Sequence, residues 1–205
     1  MTNTLTREAS PVWWTTERMR LAGVAGIVGG VVLAAVAIVH NALDFQPGTT
    51  AGTVSGMFHV AAYAMMLAAL LAADARYRAD YGRLGRITAY AIGVSMAALI
   101  PVGLLSEFVF GWEWAIGGTV AGIAFLIMHL GATVFGIVLW RRTAAGRLAA
   151  GLFIAVVPAI MVVAALAALG VFLTVAAFEA PLYLGFAALG YDVLSGGRIA
   201  RPHTR

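Results

Sequence analysis

The 205-residue chain contains no cysteine and no lysine. Without cysteine there are no disulfides, thiolate metal sites or thiol nucleophiles. Without lysine there is no Schiff base, which excludes a retinal pigment and an imine-forming enzyme. All thirteen cationic side chains are therefore arginines. Charge of either sign is scarce, at 11% of residues against 62% hydrophobic, and the mean hydropathy is +0.94. A soluble domain of this length needs more polar side chains to cover its surface, so hydrocarbon is the solvent for most of the chain. No Pro/Ser-rich linker or charge run divides the sequence, which reads as one compact membrane domain. The pI near 10 does not point to nucleic acid. The arginines lie in short clusters between apolar runs, as membrane-flanking anchors do, rather than on a polar domain.

A spanning helix needs about 20 mostly apolar residues. Leu21–Leu43, Val54–Ala75, Ile87–Ser106 and Gly118–Trp140 each meet that need. Leu148–Leu194 is too long for one crossing and suits two, with a turn between Gly170 and Pro181 and a sixth helix from about Ala180 to Leu194. The expected architecture is an all-α polytopic membrane bundle of six transmembrane helices over residues 21–195. An interfacial N-terminal segment, 1–20, precedes it, and a basic tail, 196–205, follows. With six spans every arginine falls on one side: Arg7, Arg18 and Arg20, then Arg76 to Arg86, Arg141 to Arg147, and Arg198 to Arg205. The positive-inside rule makes that side cytoplasmic, with both termini inside a cell (plasma) membrane. Helix one is too long, and its lead too acidic, for a cleaved signal peptide.

The stretch SEFVFGWEWAIGG, Ser106–Gly118, then becomes an outer loop, with Trp112 and Trp114 in the headgroup belt. The outer acids Asp44, Glu107, Glu113 and Glu179 share their side with no arginine. His40 and Asp44 are four residues apart on one helical face, and His59 enters helix two from the same side. Histidine with carboxylate suits Zn²⁺, Mn²⁺ or Fe ligation, with His40, Asp44 and His59 as the candidate metal set, and equally suits proton relay. Each acid on its own also reads as a solvated cap at a helix end. His129 lies about eleven residues, roughly 16 Å, inward from Gly118, near the midplane. A ring at that depth must face the bundle, and Tyr63, Tyr90, Ser95 or a carbonyl freed by Pro158 are the expected partners. Gly26 and Gly30, like Gly118 and Gly122, have the small-xxx-small spacing that permits close helix approach, within the chain or in an oligomer.

AYAMMLAALLAADARYRADYGRLGRITAY at Ala62–Tyr90, the outer Glu–aromatic loop and the closing GYDVLSGGR together resemble a loose group of small prokaryotic multi-span proteins with no assigned function. That resemblance is topological and implies no catalytic residues. There is also a class-level likeness to small membrane-bound terpene cyclases, which place acids inside a helical bundle, although those have seven spans. The leading expectation is a protein in the lipid bilayer that binds or moves a small molecule, lipid or cation. Its outer pocket would draw on His40, Asp44, His59, Glu107, Glu179 and His129. The alternative is a membrane-embedded acid/base enzyme acting on an isoprenoid or lipid, with Glu107, Glu113, Asp44 or His129 as its acid or base. A b-type haem held by His40 and His59 is a third reading.

Overall fold

The computed structural model describes residues 13–43, 49–111, 113–142, 146–171 and 175–195. All the regular structure among them is helical. The helices are α1 (Thr16–Leu43), α2 (Thr50–Tyr77), α3 (Gly82–Leu105), α4 (Ala115–Arg142), α5 (Arg147–Ile154), α6 (Val156–Ala168) and α7 (Val175–Leu194). A π-helical turn, Ser106–Phe110, closes α3. Four helices and the continuous run Arg147–Ala168 are long and apolar enough to cross a membrane. With the 20-residue α7, the bundle has six traverses. Three of the helices have 28 residues and reach about 42 Å, beyond a hydrocarbon core of about 30 Å. Their ends therefore extend past the apolar runs into the flanking polar sequence.

The traverses form a closed ring in chain order, with α7 returning to pack most extensively against α1. Neighbours run antiparallel. A Cβ on Gly26 would meet Ala69 of α2, and one on Gly29 would meet the Ala62 carbonyl. On the other flank Gly23 lies against Gly190, and Gly30 against Tyr183 and Ala187 of α7. The glycine stripe of α1 is thus filled inside the chain by two partners. Gly26 and Gly30, which on the sequence could serve an oligomer, are both buried against helices of their own bundle. Large apolar side chains cover the outside, among them Leu148, Val94 and Met161. Antiparallel order also gathers every described arginine at one end of the bundle, from Arg18 at the start of α1 to Arg147 at the start of α5.

Two boundaries differ from expectation. The fifth traverse is interrupted for one residue at Ala155, which keeps helical dihedrals and still links Gly151 and Ala159 through i to i−4 bonds. Pro158 cannot donate to the Ile154 carbonyl, so the α5 ladder ends there, and the Val157 amide turns to the Thr133 hydroxyl of α4 at 3.4 Å. The sixth helix begins at Val175, not Ala180, which leaves Pro181 inside it. The stop lies earlier, at Gly170, whose φ of +80° suits glycine. There the Val171 amide bonds the Leu166 carbonyl and the Gly170 amide that of Ala167, a Schellman closure. The chain is then free to start its last helix before the proline.

Candidate functional site

The two ends of the bundle are filled differently. Toward the arginine-rich end, Phe153 meets Phe186 edge-on at 5.0 Å and Phe135 at 6.1 Å, while Tyr81 meets Phe135 edge-on at 5.5 Å. Toward the arginine-free end there are two hollows. The first, about 400 Å³, lies between α2, α3 and α4. Its wall is mostly glycine and aliphatic carbon, with Ser55, His59, Tyr63 and Ser106 as its polar members. Glycines make up much of the lining: Gly52 and Gly56 on α2, Gly103 on α3, and Gly117 and Gly118 on α4. A Cβ on Gly118 would meet nothing within 4 Å.

His59 lies half-buried in this wall, its Nδ1 donating to the Ser55 carbonyl at 2.8 Å, since a carbonyl can only accept. Its ring is 6.5 Å from that of Tyr63. Tyr63 is buried, and its hydroxyl is hydrogen-bonded to that of Tyr183 on α7, which is in turn bonded to the Glu179 carboxyl. Tyr183 has one hydroxyl hydrogen, so with Glu179 ionised it donates to the carboxylate and accepts from Tyr63. A buried carboxyl thus connects through two phenols to the wall of the hollow. Glu179 is only 8% exposed. The expectation that it caps the turn before helix six gives way to a position inside α7, because that helix starts four residues ahead of it.

The two other described acids of this end are more exposed. Glu107 is half-exposed on the π-helical turn beside Ser106, and Glu113 is exposed in the following loop. Among the described residues no three His, Asp or Glu side chains converge as a metal would require. The His40 side chain and all of Asp44 lie outside the described residues, and so does the proposed set His40, Asp44, His59 as a set.

His129 does face inward, at 3% exposure, but not toward Tyr63 or Ser95. Tyr63 is bonded to Tyr183, and the Ser95 hydroxyl donates within its own helix to Ala91 at 2.8 Å. The α4 surface that holds His129 turns instead toward α6 and α7. There it lines the second hollow, about 430 Å³, with Ile160 and Phe178. Phe125, between the two hollows, lines both.

Sequence reasoning missed Tyr183 and Phe125. Tyr183 was within reach, because Glu179 and Tyr183 are four residues apart, the spacing that puts two side chains on one helical face. Phe125 carries no sequence signal that separates it from ordinary apolar lining. Compared with protein-family models, with curated proteins and with solved structures, the chain matches none.

Proposed function

We propose that this is a multi-pass protein of the cell membrane, both termini cytoplasmic, that binds a small, largely apolar molecule carrying a positive charge in the hollow between α2, α3 and α4. The observation that carries the reading is the hollow itself: about 400 Å³ between three helices, apolar over most of its wall, with a few polar groups from α2 and the π-helical turn. Ligand sites have this constitution. The charge preference follows from the flanks. Glu107 adjoins Ser106 of the wall and Glu113 follows in the same loop, while every described arginine is at the opposite end. The charged side chains that a cation meets from this side are, among the described residues, all carboxylates, and low-dielectric walls focus that field. The cytoplasmic assignment of the arginine-rich end rests on the positive-inside rule.

Tetraphenylphosphonium, a compact lipophilic cation, is a suitable probe for the purified protein in lipid nanodiscs. Binding measured by equilibrium dialysis should weaken about tenfold in Gly118→Trp, which fills the hollow where a side chain has room, and less in Glu107→Gln. Unaltered binding in a folded Gly118→Trp protein would remove the hollow as the site. The acid/base enzyme is a second reading, favoured by the Glu179–Tyr183–Tyr63 chain, which offers a route for a proton to the wall. Tyr63→Phe separates the two. Cation binding within twofold of wild type supports the binding reading. A prenyl product formed by the wild type and not by the variant would establish the enzyme.

A further inference from the structure

The second hollow holds an unsatisfied group that the proposed function does not use. His129 Nδ1 is 2.6 Å from the Phe125 carbonyl. A carbonyl only accepts, so Nδ1 carries the hydrogen, and the neutral ring presents at Nε2 a bare lone pair. That atom is buried and, among the described residues, has no hydrogen-bond partner. The rest of the ring is held by apolar neighbours, with Phe125 stacked at 4.3 Å and Phe178 at 6.5 Å. The groove they form opens sideways: Gly122 and Leu126 of its wall are exposed on the outer surface of the bundle, where the surrounding medium is hydrocarbon.

Water is a poor match for the lone pair. An ordered water needs two to four polar partners, and among the described residues that line the groove only His129 has a polar side chain. Lipid chains have no donor to give. What fits is a molecule that brings one hydroxyl on an apolar body. We propose that the groove between α4, α6 and α7 is a lateral binding site for a hydroxyl-bearing lipid, a long-chain or isoprenoid alcohol, whose O–H donates to His129 Nε2. The chemistry is directional. A ketone or ether offers only acceptors and faces the lone pair with another, so the site discriminates an alcohol from its own methyl ether although the two have the same chain. It is a separate site from the cation hollow, and the shared Phe125 is its inner wall.

The test uses the full chain in phosphatidylcholine nanodiscs with two photoactivatable probes, a C15 isoprenoid alcohol bearing a diazirine and its methyl ether, and maps labelled peptides by mass spectrometry. The alcohol should label the α4, α6 and α7 segments around Phe125, Ile160 and Phe178. The ether should label them about tenfold less, the weight of one buried hydrogen bond whose loss leaves an acceptor unpaired. His129→Leu should erase the difference between the probes while Gly122→Phe, whose added side chain starts in open space, should block both. If His129→Leu does not fold, Gly122→Phe and the alcohol-to-ether ratio in the native protein decide the matter. Equal labelling by alcohol and ether in the native protein overturns the proposal, as does undiminished labelling in folded Gly122→Phe. Gly118→Trp should leave the labelling unchanged, so failure of this site and failure of the cation hollow are read separately.

Discussion

Two sets of glycines behave in opposite ways in this bundle. Along α1 and α7, at Gly23, Gly26, Gly30 and Gly190, an added Cβ would run into the backbone or side chains of a neighbouring helix. Near the arginine-free end, Gly118 and Gly122 of α4 would meet nothing within 4 Å. The same residue type closes one interface and opens two hollows. In lipid, where no hydrophobic force draws helices together, close backbone approach supplies the dispersion contact that holds α1, α2 and α7 as a tight group. The lateral groove lies where α4 meets α6, which it touches little, whereas the first hollow opens beside an α3–α4 contact as extensive as that of α1 with α2. Close packing and open space thereby fall in different parts of one fold, and substitutions at the two sets of glycines measure whether that division holds.

The largest effect is expected from Gly30→Val. Its Cβ would collide with the Tyr183 carbonyl and lie 2.7 Å from the Ala187 amide nitrogen, both rigid backbone. Relief requires α1 and α7 to separate along their whole contact, so the cost should reach the top of the range for overpacking, about 3 kcal/mol. Loss of folded protein on heating, followed by size-exclusion chromatography in detergent, measures it. A Gly30→Val protein as heat-stable as wild type would show that the α1–α7 contact is not what holds the bundle.

How much of this was legible beforehand follows from which physical quantity each feature depends on. The helix count was readable because hydrocarbon thickness imposes about 20 apolar residues per crossing, and Leu21–Leu43 or Gly118–Trp140 satisfy it without ambiguity. The gathering of arginines at one end was readable for the same reason. The start of the sixth helix was not, because Pro181 looks like a first-turn residue and the Schellman closure at Gly170 depends on backbone geometry that the letters do not encode. Inward orientation of His129 was readable from the cost of a polar ring in lipid. Its neighbours were not, since that needs the rotation of α4 about its axis, which an almost uniformly apolar helix does not reveal. Glu179 read both as a pocket acid and as a solvated cap, and what separates the two is one fact, the helix boundary ahead of it.

A middle-sized effect belongs to the arginine-rich end. Tyr81, in the turn between α2 and α3, is 1% exposed and donates its hydroxyl to Asp74 at 2.6 Å. Tyr81→Phe keeps the ring against Phe135 and deletes that bond, which should cost about 1.5–3 kcal/mol if Asp74 is ionised. The variant should also change the alkaline limb. Burial first, and then the bond to Asp74, hold the Tyr81 hydroxyl above the ordinary tyrosine value near 10. The fold therefore favours the protonated phenol. Its contribution is complete below about pH 10 and falls at higher pH, where the unfolded chain gains by ionising. Wild type should lose stability between pH 10 and 11 more steeply than Tyr81→Phe. Parallel slopes would mean that this phenol does not sense the fold.

The smallest effect is also the sharpest test of the comparison. Gly122→Ala adds one methyl group to the α4 wall of the lateral groove, where a Cβ has no neighbour within 4 Å. No contact is broken and none is made. Alanine has the higher helix propensity, and glycine loses more backbone entropy on folding, so the change should be neutral or stabilising by up to about 1 kcal/mol. The midpoint of thermal unfolding, measured beside Gly30→Val in the same detergent, should stay level or rise. A fall by the equivalent of 1 kcal/mol or more would mean that this face is covered in the working protein, for instance by a second copy packed through Gly118 and Gly122. That result would turn the open end of the bundle into an interface and leave the α1 stripe and the α4 stripe doing the same work.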